Sequence, residues 1–456
     1  MVLPQDFITY TRALMGSERY DKMASALLEE PPVSLRLNPF KTLSGITEVC
    51  NADGQVPWAS NGFYLSGRPN FTFDPLFHAG TYYVQEASSM FVAWIVSQLI
   101  HIPITMLDLC AAPGGKSTAL RSVLPKGSLL FCNEPMPQRS NILAENVQKF
   151  GHPDMVVTNN FAADYRKSGL QFDVILADVP CSGEGMFRKD AGAIAEWSEA
   201  NVEHCWRLQR EIISDIWPCL KPGGLLIYST CTFNDKENER NVEWIEQEFG
   251  ADFDLPPIPY GWNITGSIGS DIPACRFIPG LSKGEGLFLC VLRKRHEHHL
   301  SREERIKRPS KNIPTKPKMP DIPQWLKADY DCSIRLINSN IYAIRNQWVS
   351  VFDKACEALR IVHAGVGLAT SKGKDLIPHP ALALSIALAD GAFSQCELDY
   401  SSAIAFLRRE AIALPNETPR GYVLVTHKDM PLGFVKNIGN RANNLYPQEW
   451  RIKSTH

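Results

Sequence analysis

The chain has 456 residues, of which 44% are hydrophobic and 21% charged, and its formal net charge is −2. This composition is typical of a globular protein and excludes a chain that is basic throughout, so any nucleic-acid surface must be local. No apolar run approaches a membrane span and the N-terminus lacks a secretory signal, so we expect a cytoplasmic protein with no membrane partner. The twelve cysteines include no Cys-x-x-Cys pair, which favours neither a zinc site nor a disulfide framework.

The first 75 residues predict a small α+β unit. The predicted elements are helices over Phe7–Met15 and Tyr20–Leu28 and a short strand over Val33–Leu37. Arg36 and Asn38 lie on that strand. They either contact a ligand or form a polar outer face, and the sequence leaves both interpretations open.

Residues 76–296 predict an α/β domain with a doubly wound, mainly parallel sheet. Apolar runs too short for helices alternate with helical patterns, and small, polar or reactive residues follow the runs directly, which is typical of buried parallel strands. The predicted strands are Ile104–Leu109, Ser128–Cys132, Met155–Thr158, Phe172–Ala177, Gly224–Ser229, Ala274–Ile278 and Gly286–Leu292. The predicted helices are Met90–Leu99, Ser117–Leu124, Gln138–Phe150, Val202–Trp217, which Pro218 and Pro222–Gly224 end, and Asp235–Phe249.

The C-terminal third has a different composition. Five prolines lie among basic residues and predict a linker over residues 297–323, which is either a phosphate-contacting strap or a solvated connection. An intermediate domain over residues 324–376 and a β-rich domain over residues 377–456 follow. The histidines of residues 296–299 have no further ligands at metal-binding spacing, so we expect no metal site.

A Gly-rich turn, Cys110-Ala-Ala-Pro-Gly-Gly-Lys-Ser117, follows the first strand of the central sheet. It misses the P-loop pattern by one residue, and Asp178 can imitate a magnesium-binding acid, so a P-loop NTPase is one hypothesis. Against it, Pro113 removes a backbone N–H that phosphate would need. Glu134 ends the second strand, where an acid suits ribose hydroxyls. A nucleoside cofactor without a pyrophosphate, S-adenosylmethionine, therefore fits better.

Two cysteines follow the next pair of strands. Cys181 comes just after the fourth strand and Cys231 at the end of the fifth, so both are expected at one rim of the sheet beside Asp178. A lone cysteine is more often a buried hydrophobe than a nucleophile, but two at adjacent strand ends indicate chemistry. Two thiols, an acid and a methyl donor suit methylation of cytosine C5. A thiolate that adds to C6 makes C5 nucleophilic, and a carboxyl group near N3 stabilises the adduct.

Several motifs carry a family resemblance. They are Asp108-Leu-Cys-Ala-Ala-Pro-Gly-Gly-Lys116, Asp178-Val-Pro-Cys-Ser-Gly-Glu-Gly-Met-Phe-Arg-Lys189, Ser229-Thr-Cys-Thr-Phe233, Arg36-Leu-Asn38 and Tyr83-Val-Gln-Glu-Ala-Ser-Ser89. Over residues 1–296 the chain closely resembles the Nol/Nop/Sun family of RNA cytosine-C5 methyltransferases. The segments Gly421–Thr426 and Asn443–Ile452 resemble the PUA-like RNA-binding tail of its bacterial ribosomal RNA methyltransferase F branch.

The resemblance implies a class I Rossmann-like methyltransferase fold, S-adenosylmethionine as cofactor and small-subunit ribosomal RNA as substrate; we expect a monomer. It implies that Cys231 is the nucleophile, that Cys181 assists product release and that Asp178 faces both cofactor and base. The implied cofactor-binding residues are Cys110, Ala111, Ala112, Pro113, Gly114, Gly115, Lys116, Glu134, Arg139, Asn160 and Asp178. Asn160 is a departure, because the family usually has an acid after the third strand to contact adenine.

Two further expectations concern RNA. Phe187, Arg188 and Lys189 follow the second motif, and we expect them to contact RNA by stacking and charge. The last hypothesis is a non-catalytic RNA-binding assembly factor that keeps only the fold. The intact cysteines and their neighbouring acid disfavour it, since binding alone needs none of them.

Overall fold

The structure is a computed structural model, and it describes residues 2–41, 51–296, 324–372 and 375–454. The predicted linker, residues 297–323, lies outside the described residues, as do the histidines at positions 298 and 299. Within the described part of the chain, no helix is both long enough and apolar enough to cross a membrane.

The N-terminal unit contains a small antiparallel sheet in the order β2-β3-β1-β4. Its strands are β1 (Val33–Leu37), β2 (Ala52–Gln55), β3 (Gly62–Leu65) and β4 (Tyr82–Val84). Its helices are Gln5–Met15, Ser17–Ala26 and Pro75–His78. The first strand has the predicted bounds, and the two long helices begin slightly earlier than predicted.

Arg36 joins this unit to the central domain instead of facing solvent. Its buried guanidinium donates to Gln85 Oε1 at 2.8 Å and to Thr118 Oγ1 at 2.6 Å. Asn38 is also buried, and its Nδ2 donates to the carbonyl oxygens of Gly80 and Phe150. The polar-outer-face interpretation is therefore wrong for both side chains, because each satisfies its donors inside the protein.

The central sheet has nine strands in the order β10-β12-β9-β8-β5-β6-β7-β15, with β11 beside β12. These strands are β5 (Thr105–Asp108), β6 (Leu129–Asn133), β7 (Met155–Thr158), β8 (Phe172–Asp178), β9 (Leu220–Thr230), β10 (Ala251–Phe253), β11 (Cys275–Phe277), β12 (Leu287–Lys294) and β15 (Ile361–Ala364). Strands β5 to β9 are parallel. Their order of 3-2-1-4-5 is that of a doubly wound fold, which confirms the predicted fold class.

Helices cover both faces of this sheet. Neighbouring residues of a strand point to opposite faces, so each buried strand contributes side chains to two cores. Met106 belongs to the core on one face, and the next residue, Leu107, belongs to the core on the other. The helices of the domain are Phe91–Leu99, Gly115–Val123, Pro137–Phe150, Ala162–Ser168, Ala191–Glu196, Glu199–Ile216 and Glu239–Phe249. Short 3₁₀ helices are Phe71–Phe73, Ser88–Met90, Glu184–Met186, Trp217–Cys219, Tyr260–Trp262 and Asn346–Trp348.

Two predicted boundaries differ in the structure. The helix predicted to end at Trp217 ends at Ile216, but the fifth strand, predicted from Gly224, starts at Leu220 and pairs there with Phe172 of β8, so Pro222–Gly224 lies inside β9. The helix predicted from Asp235 starts at Glu239, because the intervening residues form a turn whose side chains bond to the loops around the cysteines.

The C-terminal third contains two further four-stranded sheets. Their strands are β13 (Cys332–Ile337), β14 (Asn340–Arg345), β16 (Val366–Lys372) and β17 (Asp375–Pro378), then β18 (Ser394–Glu397), β19 (Gly421–His427), β20 (Met430–Asn437) and β21 (Ala442–Asn444). The helices here are Val349–Ala358, Pro380–Leu384 and Tyr400–Leu407.

Strand β15 is the exception in this part of the chain, because it pairs antiparallel with β7 of the central sheet. The segment predicted as an intermediate domain therefore contributes the edge strand of the central sheet beyond β7. Just beyond this pairing, the backbone of Arg360 bonds to the backbone N–H of Asn159 and to the Asn160 side chain, each at 3.0 Å.

Candidate active site

A cavity of about 320 Å³ lies at the carboxyl ends of the parallel strands, and its size is in the range of ligand pockets. The predicted residues that line it are Cys110, Ala111, Ala112, Pro113, Gly115, Lys116, Asp178 and Cys231. Lys189, a predicted RNA contact, also lines it, as do residues with no predicted role: Tyr83, Val84, Gln85, Glu86, Ser88, Ser89, Gly185, Met186, Glu285, Gly286 and Leu287. The Gly-rich turn, the acid and one cysteine thus face the same space.

The two cysteines are in contact beside this cavity. Cys181 lies in residues 179–185, here called the Pro-Cys loop, which follow β8, and Cys231 begins residues 231–238, here called the Thr-Cys loop, which follow β9. Their Sγ atoms are 3.2 Å apart. Contact with Cys231 and burial raise the pKa of Cys181 well above its usual range, so this thiol keeps its proton at neutral pH.

Asp178 is held from two sides at the end of β8. Its Oδ2 accepts a hydrogen bond from Lys116 Nζ at 2.8 Å, and its Oδ1 accepts one from Ser229 Oγ at 2.9 Å. Burial lowers the pKa of Lys116, but Asp178 and the sulfur of Cys231 raise it by more, so the net pKa lies above its usual value. Lys116 is therefore an ammonium group placed beside the acid and the Cys231 sulfur.

The Gly-rich turn connects β5 to the helix that begins at Gly115. Gly114 has a φ of 113°, in the left-handed region that favours glycine, and the turn is tight there for that reason. Burial raises the pKa of Cys110, so this third cysteine of the site stays a thiol.

Glu134 and Arg139 bracket the other side of the turn. The Glu134 carboxylate accepts from the Met136 backbone N–H at 3.0 Å and lies 3.5 Å from an Arg139 nitrogen. Arg139 also donates to the Ala112 carbonyl oxygen at 3.0 Å. The structure therefore joins the predicted ribose acid to the turn through one guanidinium.

Asn160 follows β7, where the adenine-binding acid was missing from the sequence pattern. Its Oδ1 accepts from the Arg360 backbone N–H at 3.0 Å, and its Nδ2 lies 3.5 Å from Asp164 Oδ2. Asp164 in turn accepts from the Phe161 N–H at the start of the next helix. The amide oxygen is thus occupied within the protein, and only the Nδ2 group of Asn160 is offered to adenine; the contact itself stays a prediction.

Sequence reasoning missed two apolar side chains beside these polar groups. Met136 and Phe161 are exposed, although each lies only three residues beyond the end of a buried strand. They flank the region of Glu134 and Asn160, and an exposed apolar side chain at a strand end suits the face of a flat base. The signal was present, since each comes one or two residues after a predicted cofactor contact.

The predicted RNA contacts after the Pro-Cys loop are wrong for two of three residues. Phe187 is 1% exposed and packs against Phe7, with ring centroids 5.0 Å apart. The Arg188 side chain is 5% exposed and forms an ion pair with Glu285 at 3.0 Å. Only Lys189 faces the cavity, so neither stacking by Phe187 nor a phosphate contact by Arg188 is available.

Asp108, at the end of β5, is expected to make the stability of the folded protein depend on pH. Its Oδ2 accepts from Ser117 Oγ, its Oδ1 has no partner among the described residues, and burial raises its pKa from 3.8 to about 7. The folded protein therefore holds a proton that the unfolded chain has released. Stability falls as pH rises through this interval, by at most about 1.4 kcal/mol per pH unit for one such group.

We expect Asp108→Asn to flatten this fall, because an amide does not titrate. Urea unfolding of the cofactor-free protein across the interval measures the slope. Burial also raises the pKa of Glu237 to about 7. Glu237 should therefore still contribute to the pH dependence of stability in the Asp108→Asn variant. An unchanged slope in Asp108→Asn would contradict the assignment.

The described residues contain no group of three or more histidine, cysteine or acidic side chains that could hold a metal ion. The site is instead suited to a nucleoside that carries a charged amino acid end. The turn, the ammonium–carboxylate pair and the buried ribose acid supply the hydrogen-bonding groups, and the cavity supplies the space. These features fit S-adenosylmethionine.

Three segments of the chain match known families. Residues 103–293 match 16S rRNA methyltransferase RsmB/F, residues 3–87 match the N-terminal domain of 16S rRNA methyltransferase RsmF, and residues 393–452 match the methyltransferase RsmF PUA domain. The chain is 32% identical over 438 residues to ribosomal RNA small subunit methyltransferase F of Shewanella loihica, covering 91% of this chain and 88% of that protein. Its identity to the Serratia proteamaculans protein of the same name is 28%, over 98% of this chain and 96% of that one.

Solved structures show the same fold. A methyltransferase homolog from Pyrococcus horikoshii superposes with a TM-score of 0.55 at 26% identity, covering 64% of this chain and 95% of that chain. NSun6 from Pyrococcus horikoshii, solved with SFG, gives a TM-score of 0.56 at 20% identity, covering 64% and 99%. The family matches confirm the predicted methyltransferase with S-adenosylmethionine as cofactor and a C-terminal PUA domain. On this agreement of motifs, fold and nearly full-length relatives, the chain belongs to the ribosomal RNA small subunit methyltransferase F family.

Proposed function

We propose that this protein transfers a methyl group to C5 of cytosine in RNA of the small ribosomal subunit. The observation that carries the proposal is the pair of sulfurs 3.2 Å apart at the edge of a nucleoside-sized cavity. Methylation of a nitrogen or a hydroxyl group needs no thiol, whereas C5 of cytosine needs a nucleophile at C6 before it can accept a methyl group.

Cys231 forms the covalent bond in this proposal. Its thiolate attacks C6, a Cys231 Sγ–C6 bond forms, and the electron pair of the C5–C6 double bond becomes available at C5. When bound, S-adenosylmethionine would supply the methyl group as an electrophile, so that the C5 electron pair forms the C5–methyl bond while the sulfonium–methyl bond breaks and leaves a neutral thioether. Asp178, oriented by Lys116 and Ser229, shares a proton with N3 and stabilises the adduct as charge develops on the ring.

Release reverses the addition. The proton on C5 passes to a base, its bonding pair re-forms the C5–C6 double bond, and the C6–sulfur bond breaks so that Cys231 leaves as a thiolate. Cys181 assists this step, since its sulfur is within 3.2 Å of the leaving sulfur. The two cysteines thus divide the reaction into addition and release.

The cofactor side follows the predicted residues. The turn from Cys110 to Lys116 holds the amino acid end, Glu134 accepts from the ribose hydroxyls, and Arg139 holds Glu134 to the turn. Asn160 Nδ2 would donate to adenine, and the exposed side chains of Met136 and Phe161 would be available to pack against the base.

The alternatives are less well supported. A P-loop NTPase does not agree with membership of a methyltransferase family, and Lys116 is engaged by Asp178 instead of being free for phosphate. An assembly factor without activity does not explain two cysteines in contact at a cavity. The PUA domain and the N-terminal unit are proposed to bind the RNA, and a monomeric, cytoplasmic protein stays our prediction.

The test is methylation of small ribosomal subunits isolated from cells that lack this protein. Purified protein with S-adenosylmethionine labelled in the methyl group is expected to transfer the label, and nucleoside mass spectrometry is expected to find it in 5-methylcytidine. Heat-treated protein is the control. Label recovered in any other nucleoside would contradict the C5 assignment.

A further inference from the structure

Two buried glutamates connect the Pro-Cys loop to the Thr-Cys loop from opposite directions. Glu184 lies in the Pro-Cys loop and bonds to the Thr-Cys loop, whereas Glu237 lies in the Thr-Cys loop and bonds to the Pro-Cys loop. Both side chains are fully buried. The hydrogen-bond donors to both side chains are backbone, amide or indole N–H groups and carry no charge, which is unusual for buried acids.

Glu237 holds the residues on either side of Cys181. Its Oε2 accepts from the Ser182 backbone N–H at 3.1 Å and from Gln209 Nε2 at 2.7 Å. The same Gln209 nitrogen donates to the Pro180 carbonyl oxygen at 2.9 Å. One carboxylate and one amide therefore fix the backbone immediately before and after the thiol.

Glu184 holds the chain that follows Cys231. Its Oε2 accepts from the backbone N–H groups of Phe233, at 2.7 Å, and Asn234, at 3.0 Å, and its Oε1 accepts from Trp197 Nε1 at 2.9 Å. The next residue, Gly185, donates its backbone N–H to the Cys231 carbonyl oxygen at 2.7 Å.

Asn234 joins the two glutamates. Its Nδ2 lies 3.1 Å from Glu184 Oε1 and 2.8 Å from Glu237 Oε1. Every hydrogen bond to either side chain comes from a donor, and each of the four carboxyl oxygens accepts at least one. A glutamine in either place would turn an N–H₂ group towards a donor, because its amide has only one acceptor oxygen.

We infer that Glu184 and Glu237 are positioning residues with separate tasks: Glu184 places Cys231 for attack, and Glu237 with Gln209 places Cys181 for release. The inference deepens the proposed function and depends on it. Since the cysteines act at different steps, loss of each glutamate has a different signature in the amount of covalent protein–RNA adduct. A purely structural role would lower stability without separating the two steps.

The experiment compares Glu184→Gln and Glu237→Gln in the full-length protein with its RNA substrate. Glu237→Gln is expected to accumulate the adduct on a denaturing gel and to slow turnover about 10- to 100-fold, the usual cost of a misplacement near 1 Å. Glu184→Gln is expected to slow adduct formation by a similar factor and to accumulate none. In a Cys181→Ala background, Glu237→Gln is expected to leave the adduct level unchanged, because its target is absent.

The control is Asp154→Asn, which removes a buried carboxylate paired with Arg345 outside the site. It is expected to lower the melting temperature without changing the adduct. If Glu237→Gln does not fold, Gln209→Met tests the same contact. Wild-type turnover with normal adduct levels in both glutamate variants would overturn the inference. Absence of 5-methylcytidine with the wild-type protein would instead overturn the proposed function.

Discussion

Replacing Cys231 with alanine is expected to reduce methyl transfer to RNA by ~10⁴-fold or more, the scale on which loss of a covalent nucleophile acts. Without the sulfur no bond to C6 forms, and C5 stays too weak a nucleophile to accept a methyl group. Transfer of labelled methyl groups to small ribosomal subunits measures the effect.

The matched control for this variant is Cys356→Ala, which removes an exposed cysteine of the C-terminal third. It is expected to keep wild-type activity. Calorimetry should show that Cys231→Ala binds S-adenosylmethionine as well as the wild type does. Substantial methylation by Cys231→Ala would remove the central step of the mechanism.

Replacing Cys181 with alanine is expected to trap the enzyme on its RNA. Cys231 can still attack C6 and the methyl group can still be transferred, but release loses the sulfur that lies 3.2 Å from the leaving one. A band that contains both protein and RNA should accumulate on a denaturing gel, and it should require S-adenosylmethionine.

The outcome also tests how the two cysteines share the reaction. The double variant Cys181→Ala with Cys231→Ala should give no such band, because no sulfur remains to form it. If Cys231→Ala accumulates the adduct and Cys181→Ala does not, the roles of the two cysteines are reversed.

The meeting of the two cysteines was predictable from the sequence, because both follow apolar runs that read as adjacent parallel strands. Strand β8 lies beside β9, with Asp178 opposite Ser229, and the side chains after them must therefore approach each other. The fold class and the position of the Gly-rich turn were predictable for the same reason. Both predictions depend on hydrophobic periodicity and short apolar runs, which can be recognised within a few neighbouring residues of the sequence.

What could not be predicted depends on residues far apart in the chain. Phe187 looked like an exposed aromatic in a Gly-rich loop, but Phe7 of the N-terminal helix covers it. The reciprocal bonds of Glu184 and Glu237 connect positions about fifty residues apart, and no periodic pattern marks them. Arg36 likewise has its partners in other elements, so its burial was not visible in its own strand.

Strand β15 makes the C-terminal third an architectural part of the catalytic domain. It covers the outer edge of β7, whose backbone groups would otherwise be open to pairing with another molecule. A protein truncated after Arg295 would keep Cys181, Cys231 and Asp178. It would nevertheless expose the edge of β7, which could then pair with another molecule and promote self-association. The segment that precedes the PUA domain thus closes the outer edge of the central sheet.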